Sequence, residues 1–102
     1  MFQADLTRAN LEEVDLTGTN LFQVTLREAD LRKADLFQVN LREADLRKAN
    51  LRGVNLREAD LRETDLTEAN LERVNLFGAK LGEHSREDLE RRGAIFKDSN
   101  EE

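Results

Sequence analysis

The chain contains no cysteine, so it has neither a disulfide framework nor thiolate metal ligands. Proline, tryptophan and tyrosine are also absent, and His84 is the single histidine. These absences remove most common catalytic sets and the aromatic platforms that stack nucleic-acid bases. Five phenylalanines make up the whole aromatic content. No apolar run is long enough to cross a bilayer or to serve as a signal peptide, so no membrane partner and a cytoplasmic location are expected. The net charge of -6 disfavours nucleic acid as a direct ligand. At 102 residues the chain makes one small domain at most. Its 37% charged content and mean hydropathy of -0.71 would, on composition alone, describe a disordered chain.

The order of the residues overturns that description. Leucine recurs every five residues at sixteen consecutive positions from Leu6 to Leu81. Two residues before each leucine stands a small side chain: nine alanines, five valines, and the threonines Thr19 and Thr64. The residue just before leucine is Asp or Asn in fourteen of the sixteen repeats, Thr25 and Lys80 being the exceptions. The two residues after leucine are mostly charged or polar.

A period this strict is read before any local propensity. In a helix, five residues advance about 500°, roughly 140° net, so the leucines would spiral without forming a buried stripe. In a continuous strand, spacings of two and then three would flip the apolar side at every repeat. A short extended step followed by a corner keeps every leucine and every small residue inside. Four corners close a square, and one coil takes twenty residues. Sixteen repeats then give four coils stacked at about 4.8 Å, a quasi-one-dimensional solenoid held by neighbour contacts. The core this predicts includes Leu6, Leu26, Leu46 and Leu66 on the first face and Leu16, Leu36, Leu56 and Leu76 on the third. Gly18, Gly53 and Gly78 all fall at the second position after leucine, where a type II turn needs a positive φ. The Asp or Asn before leucine can bond neighbouring backbone near the bend, a structural role.

The motif A-(D/N)-L-x-x, seen as Ala4-Asp5-Leu6, Ala29-Asp30-Leu31, Ala44-Asp45-Leu46 and Ala59-Asp60-Leu61, resembles that of the pentapeptide-repeat proteins. The resemblance covers about four-fifths of the chain, from residue 2 to about residue 83. It implies an all-β fold, a right-handed quadrilateral parallel β-helix, and the handedness comes from the resemblance alone. The domain reading is a solenoid over 1–83, a capping helix and return segment over 84–96, and a frayed tail over 97–102.

After Leu81 the pattern stops. Ser85 reads as a helix N-cap with Asp88 three residues on, Leu89 as the one apolar anchor, and Gly93 as the C′ residue after Arg91 and Arg92. Ile95 and Phe96 then return as a hydrophobic run, and the whole segment is expected to lid the open end of the leucine column. The other end has no such lid, so Ala4, Leu6, Leu11, Val14 and Leu16 should show their rims beside an unpaired backbone edge. The expected partner there is a second copy of the chain, unless preceding sequence has been removed.

On the outer wall, Arg8, Glu28, Lys48 and Glu68 stack with alternating sign. Seven arginines (27, 32, 42, 47, 52, 57 and 62) take the first position after leucine and ring the middle coils, with aspartate close by to neutralise them. A salt-bridged wall is expected over an anion or phosphate groove. Phe2, Phe22, Phe37 and Phe77 form the candidate contact patch for an unidentified protein partner. Residues 21–35 match residues 36–50 at thirteen of fifteen positions, a duplication by three repeats that moves each side chain to the next face. Such a slip leaves the core intact and scrambles any site defined on one face. It favours a scaffold, natural or designed.

No catalytic, metal or cofactor residue is assigned. His84 has no partner set, the carboxylates stand on a convex wall where no cleft is expected, and leucine fills the bore. The expectation is a non-catalytic structural or protein-interaction scaffold. The alternative is the DNA-mimicking, topoisomerase-binding, quinolone-protecting branch that the resemblance brings with it. Residues 1–81 carry 15 acidic and 12 basic side chains, and the arginine girdle interrupts any continuous acidic track.

Overall fold

The computed structural model describes residues 4–98. Thirteen parallel bridges run through them, each joining residues twenty apart, as in Asp5–Thr25–Asp45–Asp65. Every bridge is a single residue rather than a strand, because only the residue before leucine has a partner on the coil above and a partner on the coil below. The extended step between corners is too short for more.

In a repeat led by Asp or Asn with a coil on either side, all five N–H groups find acceptors. Asp30 N–H donates to Ala9 O at 2.9 Å, Leu11 N–H to Asp30 O at 2.7 Å and Glu13 N–H to Arg32 O at 2.9 Å, three bonds between coils. Val14 N–H closes the corner onto Leu11 O at 3.2 Å. The remaining donor, Glu12 N–H, takes the side-chain oxygen of Asn10 at 3.2 Å. That last bond recurs at 3.0–3.2 Å in every repeat whose residue before leucine is Asp or Asn, fourteen in all. It explains the residue choice: an unpaired N–H at the corner would otherwise lack a fixed acceptor.

The positive φ falls at the second residue after leucine, as the glycines suggested, but glycine is the minority there. Twelve non-glycine residues, among them Glu43, Lys48 and Glu63, hold φ between 59° and 63°. Each such residue costs about 1 kcal/mol, and the corner and inter-coil bonds offset it. At the last repeat, where Lys80 replaces Asp or Asn, the positive φ moves one residue earlier to Gly82 (φ 58°).

The leucines from Leu21 to Leu76 are all buried, with Val, Ala and Thr64 between them. Thr64 carries a hydroxyl into this lumen, and its Oγ1 donates to Leu41 O at 2.8 Å, so no polar group is stranded. Of the predicted core, Leu26, Leu36, Leu46, Leu56, Leu66 and Leu76 are buried. Leu6 and Leu16 are half-buried, as are Ala4, Leu11 and Val14, because no described coil lies beneath them.

The other end is covered. Helix α1, Arg86–Arg91, starts at Ser85, whose side chain accepts from Asp88 N, and it buries Leu89. The chain then rejoins the ladder. Ile95 N–H donates to Val74 O at 2.7 Å and Leu76 N–H donates to Ile95 O at 2.8 Å, so Ala94-Ile95-Phe96 stacks on Val74-Asn75-Leu76. The helix and its flanks therefore stand in for the first two faces of a further coil and preserve the period of twenty. Lys97 N–H bonds Asn75 Oδ1 at 3.2 Å and Asp98 O accepts from Arg57 at 3.0 Å, so the first two residues of the expected frayed tail are tethered.

Candidate interaction surface

Each face ends in a corner, and stacking by twenty turns each corner position into a vertical column. At the first corner Arg8 meets Glu28 at 2.9 Å and Lys48 meets Glu68 at 4.0 Å. At the third, Gln38 Nε2 donates to Glu58 Oε1 at 2.9 Å, and at the fourth Gln23 does the same to Glu43 at 2.9 Å. The wall is thus fixed by its own neighbours, each exposed pair adding about 0–1 kcal/mol.

The arginine girdle divides according to the residue two positions earlier. Where that residue is Asp, the guanidinium folds back onto it through two bonds. Arg32 clasps Asp30 at 2.9 and 2.7 Å, Arg47 clasps Asp45 at 2.9 and 2.7 Å, and Arg62 clasps Asp60 at 2.9 and 2.6 Å. These side-chain bonds hold the three carboxyls below the ordinary aspartate range and raise the arginines above theirs. Asp5 and Asp65 are lowered chiefly by the hydroxyls of Thr7 and Thr67, and Asp15 chiefly by the N–H of Thr17. Where the earlier residue is Asn, the two-bond clasp is lost, and Arg57 keeps a single bond from Nε to Asn55 Oδ1 at 3.2 Å. Arg42 stacks 5.7 Å from the Phe22 ring, its Nε buried without an acceptor among the described residues, and Arg57 stacks 5.2 Å from the Phe37 ring.

Of the candidate contact residues, Phe22, Phe37 and Phe77 all flank the fourth face. Phe37 and Phe77 stand at the corner that enters it, and Phe22 at the corner that leaves it. Phe77 is 42% exposed, whereas Phe22 and Phe37 are half-buried. Phe2 lies outside the described residues. Between these corners run Asn20 and Asn40, joined by a 3.2 Å amide–amide bond. Thr17, Gly18, Gln23 and Gln38 adjoin them, with Arg57 between Phe37 and Phe77 in their column and Asp60 and Lys80 continuing the face above Asn40.

The cap residues come together as expected at the C-terminal end. Ser85, Asp88 and Leu89 form the helix, Ile95 forms the bridge, and Phe96 packs half-buried against the core with the Arg86 guanidinium 4.2 Å from its ring. Gly93 sits at φ 111°, where a Cβ would lie 2.8 Å from Glu72 Cα. Sequence reasoning missed Arg92, whose Nη2 donates to Leu66 O at 2.7 Å and Ala69 O at 3.1 Å and so caps carbonyls of the coil below. It also missed that the wall is not convex throughout. A recess of about 730 Å3 opens between residues 62–67 and the segment 82–84 that precedes α1, beside Arg42, Arg62, Arg92 and His84. A second recess, of about 420 Å3, lies on the second corner.

The family description Pentapeptide repeats, in eight copies, matches residues 4–42 and 44–82. The chain belongs to the pentapeptide-repeat family. A crystal structure of a pentapeptide-repeat protein from the Arabidopsis thaliana thylakoid lumen superposes with a TM-score of 0.73 and 32% identity, over 74% of this chain and 52% of that one. A second, from Nostoc, gives a TM-score of 0.66 and 36% identity over 93% of this chain and 82% of that one. The chain thus spans about half of the plant protein and four-fifths of the Nostoc one. QnrB1, a plasmid-mediated fluoroquinolone resistance protein, reaches a TM-score of 0.71 at 22% identity over 80% of this chain and 38% of that one, a likeness of fold alone. These pentapeptide-repeat relatives are right-handed β-helices. No curated protein matches the sequence.

Proposed function

We propose that this member of the pentapeptide-repeat family is a non-catalytic interaction scaffold, a four-coil right-handed column that presents fixed wall arrays to a protein partner. The observation that carries the reading is the group of phenylalanines and amides that flanks the fourth face. Elsewhere many outward side chains are engaged in vertical pairs or Asp–Arg clasps, which reduces the chemistry they offer a partner. On the fourth face, Phe37 and Phe77 offer apolar edges and Asn20 and Asn40 offer amides, with the Arg57 guanidinium over the Phe37 ring. A photo-crosslinking residue placed at Phe37 should trap one discrete protein in native extract, and the same residue at Lys48 should trap none. Equal trapping at both positions, or none at Phe37, refutes the reading.

The N-terminal coil supports a second contact, with another copy of the chain. The backbone N–H and C=O groups of Asp5, Asn10, Asp15 and Asn20 that would face a lower coil have no partner among the described residues. A strictly monomeric species in sedimentation at high concentration refutes self-pairing. DNA mimicry is disfavoured by the clasped girdle, because Arg32, Arg47 and Arg62 neutralise the aspartates that an acidic track would need.

A further inference from the structure

We propose that the first face of the last coil is a strand-addition slot for an extended segment of another protein, one with small side chains at alternate positions. The slot lies on a different face from the phenylalanine group and stands without it.

The ladder shows what the slot lacks. On the first face, Asp45 N–H bonds Val24 O and Asp65 N–H bonds Ala44 O, both at 2.9 Å. Leu46 N–H bonds Asp65 O at 2.9 Å, and Lys48 N–H bonds Thr67 O at 2.9 Å. Each coil therefore offers the next one a C=O two residues before leucine, the leucine N–H, and the N–H two residues after it. On the last coil these groups are Thr64 O, Leu66 N–H and Glu68 N–H, and none of the three has a partner among the described residues. By the same rule Leu66 N–H should donate to Ser85 O. That oxygen is taken by Leu89 N–H at 3.0 Å, because the chain winds into α1. Leu66 is only 4% exposed, so water has little access to its N–H, and a buried donor without an acceptor is costly.

The recess of about 730 Å3 opens on this edge, with residues 63–67 as one wall and residues 82–84 as the other. Its charges balance, Arg42, Arg62 and Arg92 against Glu63, Asp65 and Glu83, so it does not select an ion of either sign. What it can take is a neutral backbone. One residue of an extended segment, with its N–H on Thr64 O and its C=O on Leu66 N–H, would continue the column Asp5–Thr25–Asp45–Asp65 with its side chain outward. The residues before and after it would point inward over Thr64 and Leu66. Leu89 and the Arg92 guanidinium, bonded to Leu66 O, already close the lumen there, so both must be small. Main-chain bonds then supply the affinity and the alternate side chains the selectivity, as when a peptide joins an open sheet edge.

The probe is a seven-residue peptide of alternating threonine and alanine, blocked at both ends, because threonine favours the extended state and alanine is small. Titrated up to the millimolar range into the full-length, nitrogen-15-labelled chain, it should shift the amides of residues 63–68 in NMR spectra and slow exchange of the Leu66 amide about tenfold or more. N-methylation of the threonine amides removes the donor to Thr64 O and should abolish binding. N-methylation of the alanine amides, which face away from the coil, should leave affinity within about threefold. His84→Trp fills the recess and should weaken binding about tenfold or more, with protection of the Ile95 amide reporting that the cap is intact. Equal binding by the two methylated peptides overturns the proposal, as do shifts confined to residues 4–23, at the opposite edge, or no shift at residues 63–68.

Discussion

Truncating a leucine in mid-column is the most direct measure of what holds the solenoid together. Leu46 is 0% exposed, with Leu26 beneath it, Leu66 above it, and Ala44 and Ala49 alongside, all of them buried. Leu46→Ala removes three carbons from a lumen whose walls are pinned by three inter-coil bonds per repeat. The walls can relax little into the cavity, so the cost should sit in the upper part of the usual range for buried leucine, about 3–5 kcal/mol. Leu6 has the same inward neighbours in sequence, Ala4 and Ala9, but is half-buried, with no described layer beneath. Leu6→Ala forfeits only part of the transfer and cavity terms, about 1–2 kcal/mol. Without tryptophan or tyrosine, the readout is urea denaturation followed by far-ultraviolet circular dichroism. Equal costs for the two variants would falsify the stacked-lumen account, as would a Leu46→Ala cost below about 1 kcal/mol.

Three further outcomes follow from the corners and the cap. Asp60→Asn keeps the acceptor for Arg62 N–H and loses only an exposed ion pair, so it should cost less than about 1 kcal/mol, whereas Asp60→Ala loses both and should cost about 1 kcal/mol more, by the same denaturation. Asp5, Asp15, Asp30, Asp45, Asp60 and Asp65 all bind protons less readily folded than unfolded. The stability they contribute is therefore fully present above the unfolded aspartate value of about 4 and is lost as pH falls below it, towards the lower folded values. Urea midpoints at pH 7 and pH 5 should agree and then fall below pH 4, less steeply when Asp30, Asp45 and Asp60 are all changed to Asn; a decline that begins near pH 6 contradicts the assignment. Gly93→Ala combines a disfavoured φ of 111° with a Cβ 2.8 Å from the Glu72 backbone. It should cost at least about 2 kcal/mol and speed amide exchange at Ile95 before the middle coils, and cap exchange equal to the parent's would speak against the geometry.

The sequence by itself determined everything that repeats. Leucine at a spacing of five, a small residue two before it and Asp or Asn just before it carry the lumen, the corners and the coil of twenty. The reason is that the interactions specifying them are either local, as in the bond from Glu12 N–H to Asn10, or identical at every step. Even the clasps are legible once Asp followed two residues later by Arg is seen as a unit. Where the repeat breaks, the sequence marked the capping helix and the returning hydrophobic run, and tertiary structure decided how they dock. Between Gly82 and Gly93 no periodic signal says where the chain goes, and its path is set by what the last coil leaves unpaired. Arg92 reaches the carbonyls of Leu66 and Ala69, and Ile95 finds Val74 and Leu76 and resumes the register. The recesses beside Arg92 and around Gly53 belong to the same class. Each depends on which side chains stand one coil above and one coil below, a separation of twenty residues that only stacking converts into contact.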